Sequence, residues 1–146
     1  MGKSKVFTLS YDDCNAGIIR LVQKMKKNKI KGTFNLNSGR YGTNCFGVAD
    51  GKHLSEEQLK ECLIGSGNEI AIHGYKHFNP ATLSGGELFK EFALDKENLE
   101  KSFGGVVRGA AYAFGGVNDK RRNNTVITTP TIYVSGLCLF GGVDIK

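Results

Sequence analysis

Apolar and polar positions change rhythm several times along this chain, and each change marks an element. Val6 to Ser10 is a short apolar and β-branched run that ends in the polar corner Tyr11, Asp12, Asp13, Cys14 and Asn15, the pattern of a buried strand followed by a loop. Ile18, Ile19, Val22 and Met25 then recur at helical spacing and predict a helix that stops near Asn28. Gly32 to Asn37 (Gly-Thr-Phe-Asn-Leu-Asn) predicts a second strand, and residues 38 to 53, rich in Gly, Asn and Ser, predict a loop. Ser55 with Gln58 three positions on is a capping box, opening a helix that carries Leu59, Cys62 and Leu63 inward. Asn68 to His73 (Asn-Glu-Ile-Ala-Ile-His) predicts a third strand. Ser84 and Glu87 form a second capping box, and Leu88, Phe92, Leu99 and Phe103 mark one face of a long helix up to Gly104. Val106 to Phe114 predicts a fourth strand running into Gly115 and Gly116. Gly65-Ser66-Gly67 follows a helix instead of a strand, so it reads as a helix C-cap and turn, not a dinucleotide loop.

Strand and helix alternate at a spacing suited to right-handed crossovers, which predicts a parallel sheet in an α/β architecture. The length, 146 residues, suits one domain spanning 1–146. After Asp119 the pattern fails. Residues 123 to 134 are β-branched, contain Pro130 and lack helical periodicity, and from Arg121 onward the only acid is Asp144, so 120–146 reads as a divergent tail.

Composition narrows the classes. No apolar run approaches the roughly 20 residues of a membrane span, and no secretory signal pattern is visible at Met1 to Val6, so the sequence as written is expected to stay in the cytoplasm and off the membrane. Cys14, Cys45, Cys62 and Cys138 are scattered without a C-x-x-C pair and are expected to be free thiols. The net charge of +6 could suit a polyanion, but Lys24, Lys26, Lys27, Lys29 and Lys31 crowd one helix end, where cations also suit the helix dipole. No aromatic residues interleave with them, and nucleic acid is not the expected partner.

Candidate chemistry sits at the strand ends. In parallel α/β folds the loops after the strands gather on one face, where ligands bind. Asp12 and Asp13 follow the first strand, His73 ends the third, and Arg108 and Tyr112 lie in the fourth. If Gly74 to Lys76 make one helical-type turn, His77 points the same way as His73. Two histidines and a carboxylate with open positions form a donor set for Zn²⁺ or a similar divalent ion. The alternative reading of His73 is a satisfied core histidine, and of Arg108 a surface arginine on an outer strand. Asn35 and Asn37 could hydrogen-bond sugar hydroxyls or serve as turn residues, and His53, ahead of a capping box, is expected on the surface.

Four segments carry a family resemblance: Thr8 to Asp13 (Thr-Leu-Ser-Tyr-Asp-Asp), Gly32 to Gly39 (Gly-Thr-Phe-Asn-Leu-Asn-Ser-Gly), Asn68 to His77 (Asn-Glu-Ile-Ala-Ile-His-Gly-Tyr-Lys-His) and Arg108 to Gly115 (Arg-Gly-Ala-Ala-Tyr-Ala-Phe-Gly). In this order they resemble the first motifs of the polysaccharide deacetylases, the NodB-homology group of carbohydrate esterase family 4, over residues 5–119. The resemblance implies a (β/α) barrel-like parallel sheet, incomplete at the C-terminus, and a metal-dependent hydrolase that removes acetyl groups from an acetylated carbohydrate. It implies Asp12 as general base, Asp13, His73 and His77 as ligands of a divalent metal ion, most simply Zn, and Arg108 as the partner that holds Asp12. A main-chain N–H near Tyr112 to Phe114 is implied as oxyanion donor.

The chain also departs from the family pattern. Cys14 stands where the first motif usually has Gly, and Arg108 lies six residues before Phe114 where the family commonly has Arg-x-Pro-Tyr-Gly. The later motifs, an Asp-Trp segment and a Leu-x-His segment supplying the general acid, have no counterpart, since the chain contains no Trp and no His after His77. Loss of a general acid typically costs roughly 10² to 10⁴ in rate, about 3 to 5 kcal/mol. A truncated, catalytically impaired domain that keeps metal or sugar binding is therefore the second reading.

Overall fold

Four short strands lie side by side in sequence order in the computed structural model, which describes residues 7–45 and 51–115. β1 (Ser10–Asp12), β2 (Thr33–Leu36), β3 (Glu69–Ile72) and β4 (Gly109–Ala110) are all parallel, in the order β1-β2-β3-β4. Consecutive parallel neighbours need a crossover between each pair. α1 (Gly17–Lys27), α2 (Glu56–Leu63) and α3 (Gly85–Phe103) supply these crossovers. Among the described residues the sheet is an open arc with β1 and β4 at its edges.

The register decides where the strand ends fall. Asp12 pairs with Asn35, Asn35 with Ala71, Leu36 with Ile72, and Ile72 with Ala110. The strands therefore end almost level, and Asp13, Asn37, His73 and Ala111 all leave the sheet at one edge. The core lies between sheet and helices: Phe34, Leu36 and Ile72 from the strands meet Ile18, Val22 and Met25 of α1, Leu59 and Leu63 of α2, and Leu99 of α3. Each fully buried side chain of this size is worth about 1.5–3 kcal/mol, so this cluster and not strand length holds the arc together.

Helix boundaries follow their local signals. Ser55 and Ser84 each accept from the backbone N–H three residues on, and Gln58 and Glu87 return the bond, so both predicted capping boxes are present. α3 ends at Gly104 in the left-handed region, φ 71°, a conformation that costs an L side chain energy and glycine none. α1 ends at Asn28 with Lys24, Lys26 and Lys27 in its last turn, which accounts for the lysine cluster. Among the described residues no helix is long and apolar enough to cross a membrane. Cys14, Cys45 and Cys62 are free, as expected; Cys138 lies outside the described residues.

Three boundaries differ from expectation. The first strand begins at Ser10, not Val6, and runs through the corner residues Tyr11 and Asp12. The fourth is two residues long instead of nine: the Val107 N–H is taken by the Glu100 carboxylate, and the chain turns into a 3₁₀ segment, Ala113–Gly115, with Phe114 at φ 59°. Among the described residues of the segment after β2, Ser38–Arg40 form a 3₁₀ turn, and isolated bridges pair Asn15 with His53 and Asn44 with Lys52. The tail 120–146 lies outside the described residues.

Candidate metal centre

The level strand ends bring Asp13, His73 and His77 together. One ligand atom from each lies within 4.8 Å of the others. His77 Nε2 is 3.2 Å from Asp13 Oδ1, and His73 Nε2 is 4.0 Å from the same oxygen. The rings of His73 and His77 stand 4.9 Å apart, centroid to centroid. Asp12 lies beside them, with Oδ2 3.9 Å from His73 Nε2.

Local backbone conformation explains how neighbours can serve different roles. Asp13 sits at φ 69°, His77 at φ 59° and Phe114 at φ 59°; among the described residues only Lys29 shares this region without being glycine. Left-handed conformation is uncommon for such residues and concentrates where a function fixes the backbone. At Asp13 it falls directly after β1, where both adjacent carboxylates come within about 4 Å of His73 Nε2, Asp12 through Oδ2 (3.9 Å) and Asp13 through Oδ1 (4.0 Å). The expected helical turn between the histidines is replaced by a tighter one: His77 N–H donates to the Gly74 carbonyl (3.3 Å), with Gly74 at φ 87°. Both imidazoles nevertheless face Asp13.

Each candidate group is oriented from behind. His73 Nδ1 lies 3.0 Å from the Ala111 carbonyl, which can only accept, so Nδ1 carries a proton and Nε2 is the ring nitrogen turned toward Asp13. Asp12 Oδ1 accepts from Asn35 Nδ2 (2.6 Å), which also donates to Ser10 Oγ (2.7 Å), leaving Oδ2 toward His73. Burial, opposed by Asp13 and reinforced by His73, holds the His77 pKa below the usual histidine range. A neutral imidazole at neutral pH is what a metal ligand needs. Two nitrogens and one oxygen, with the His73 ring held by the Ala111 carbonyl, therefore fit a divalent ion with open positions.

Below the cluster lies a buried polar layer. Asn37, fully buried, donates through Nδ2 to the carbonyls of His73 (3.0 Å) and Gly74 (2.7 Å). With both amide hydrogens committed, its Oδ1 is left buried without a partner. Asp95 of α3, also fully buried, accepts from His73 N–H (3.1 Å) and from the N–H and hydroxyl of Ser38 (2.7 Å each). Burial raises its pKa, and the Ser38 and His73 bonds oppose that rise. One helical turn earlier, Glu91 Oε2 accepts from Lys76 N–H (2.8 Å) and the Glu91 carbonyl from Tyr75 N–H (3.2 Å). Cys14 is buried against Asn37 and its thiol is pushed up to about 12 by desolvation, so it is an inert packing group in the place of a glycine.

Several sequence expectations change here. Arg108 does not meet Asp12. It is exposed one residue ahead of β4, forms no ion pair among the described residues, and has β2 and β3 between it and β1; Asn35 holds Asp12 instead. Tyr112 is 42% exposed, and its ring packs edge-on against Phe92 at 5.4 Å, outside the cluster, while the His77 ring lies 4.7 Å from that of Phe114. Asn35 and Asn37 are buried framework residues, not open to a sugar. His53 is not a surface residue: it is 7% exposed, with Nδ1 3.1 Å from both Thr43 Oγ1 and the Thr43 carbonyl. Asp95 and Glu91 escaped the sequence reading, although an acid four residues before Leu99 on the apolar stripe of α3 is a readable signal.

The chain belongs to the polysaccharide deacetylase family, whose model matches residues 2–127. Solved structures of the same kind resemble it. IcaB from Ammonifex degensii is 26% identical with a TM-score of 0.64, covering 74% of this chain and 50% of its own. The Streptococcus pyogenes deacetylase PplD, solved with acetate, is 25% identical with a TM-score of 0.67 over 80% of this chain and 50% of its own. The peptidoglycan deacetylase PdaC from Bacillus subtilis is 26% identical with a TM-score of 0.61 over 82% and 55%. The chain thus spans about half the length of these proteins. Among curated protein sequences no match is found.

Proposed function

We propose that this chain is a metal-dependent hydrolase domain that removes acetyl groups from an acetylated carbohydrate. The observation that carries the reading is the convergence of Asp13, His73 and His77 within 4.8 Å, with Asp12 beside them and oriented by Asn35. Asp13, His73 and His77 hold a divalent ion, most simply Zn²⁺. Such an ion lowers the pKa of water from about 15.7 to about 7, which takes roughly 12 kcal/mol off the cost of hydroxide at neutral pH.

The residues of the chain do the rest. Asp12 Oδ2 accepts the proton of the water that attacks the acetyl carbonyl, while Asn35 keeps Oδ1 occupied and the carboxylate in place. Main-chain N–H groups between Tyr112 and Phe114 are the candidate oxyanion donors, and the contact of Phe114 with His77 supports their being near the reacting carbonyl. Arg108 has no part in holding Asp12 in this scheme.

Acetate release from N-acetylglucosamine oligosaccharides, and from an O-acetylated oligosaccharide, tests the reading and separates amide from ester substrates. A chelator is expected to abolish release, and Asp12→Asn and His73→Ala are expected to do the same. Release that persists in excess chelator refutes the metal mechanism. A second reading, metal or sugar binding without turnover, is favoured by the missing Arg108 contact; zinc binding in calorimetry with no acetate release selects it.

A further inference from the structure

We propose that Asp95 is a positioning residue for the metal site: its carboxylate sets the main chain of His73, and through it the direction in which the His73 ring is presented. The inference rests on the metal reading of Asp13, His73 and His77. β3 ends at Ile72. Beyond that residue the chain must leave the sheet and still satisfy its buried polar groups. His73 N–H is shared between the Leu36 carbonyl (3.0 Å) and Asp95 Oδ2 (3.1 Å), while the carbonyls of His73 and Gly74 are both taken by Asn37. The segment is gripped from both sides by side chains.

The choice of a carboxylate at this place is informative. Asp95 is fully buried, yet among the described residues no Lys, Arg or His forms an ion pair with it. A buried charge without a counterion is costly unless donors surround it. Here the donors come from two separate loops, Ser38 after β2 and His73 after β3. A carboxylate, with two acceptor oxygens and no hydrogen, takes all three bonds without turning a donor toward a donor, as an amide would. Asp95 therefore ties two strand ends to one helix, and one of those ends carries a metal ligand whose ring is fixed on its other side by the Ala111 carbonyl. Outer groups of this kind govern affinity by holding a ligand in the binding orientation.

Zinc titration of the full chain by calorimetry, together with the imidazole ¹⁵N–¹H spectrum of the metal-free protein, tests this. Asp95→Asn keeps the side-chain shape but turns an N–H₂ toward one of the donors. It is expected to weaken zinc binding about 10–100-fold, the usual effect of removing a group behind a ligand. In the spectrum, the single Nδ1–H tautomer of His73 is expected to become a mixture. Leu99→Ala removes an equally buried side chain from the same helix without touching His73, and is expected to leave both readouts unchanged. Unchanged zinc affinity and tautomer in Asp95→Asn, or an equal loss in Leu99→Ala, overturns the proposal. Should Asp95→Asn fail to fold, Ser38→Ala removes one donor to Oδ1 and is expected to move both readouts in the same direction by less; no movement overturns it. A wild-type chain that binds no zinc defeats the metal reading itself, and the imidazole spectrum then decides the role of Asp95 alone.

Discussion

His53 Nδ1 lies 3.1 Å from both the hydroxyl and the carbonyl of Thr43, and His53 N–H donates to that carbonyl as well. Burial lowers its pKa below the ordinary 6.5, so the folded chain resists protonation there. The unfolded chain takes the proton first as the pH falls. The stabilisation is therefore complete above about 6.5 and is lost as pH drops through the lower folded value. Denaturant unfolding of the metal-free chain across this window is expected to show falling stability, with a shallower slope in His53→Gln. Residue types made the candidate cluster legible in advance: the two histidines and the Asp12-Asp13 pair fall at strand ends, and the family resemblance singles out Asp13 with His73 and His77. The partner of Asp12 was not legible, because choosing between Arg108 and Asn35 requires knowing which strands are neighbours.

At the scale of elements, α3 links stability to the site. Its capping box is exposed and local, while one turn of its inner face delivers Glu91 and Asp95 to the turn that bears both histidines. Ser84→Ala removes the cap and is expected to cost about 1 kcal/mol, measurable by denaturant unfolding. Glu87, held in its charged form by the Ser84 hydroxyl and N–H, keeps only the main-chain bond in the same variant, and its lowered pKa is expected to move part of the way back toward 4.5. Both capping boxes and the ends at Asn28 and Gly104 could be read directly, since their partners lie within a few residues. β4 could not. Its apolar run suggests nine residues, but the carboxylate of Glu100, brought over by α3, takes the Val107 N–H and shortens the ladder.

For the whole molecule, the site joins loops after β1 and β3 that are 60 residues apart, Asp13 to His73, so an ion bound there ties distant parts of the chain together. Binding to the folded state alone stabilises it, by about 2.7 kcal/mol at a hundredfold excess over Kd. Zinc is therefore expected to raise the thermal midpoint of the wild-type chain, and His77→Ala to abolish that rise. Phe34, at the centre of the core with no exposure, supplies an independent check: Phe34→Ala is expected to cost about 3–5 kcal/mol with or without zinc.

The order of strands and helices, their caps and the residue types of the candidate metal site were determined by the sequence, because periodicity, capping and spacing act over a few residues. The tertiary structure alone decided that Asn35 and not Arg108 holds Asp12, that Asn37 and His53 are buried, and that Asp95 stands behind His73. Those outcomes depend on parallel register and on which helix packs over which strand end, and such contacts join residues that no local pattern connects.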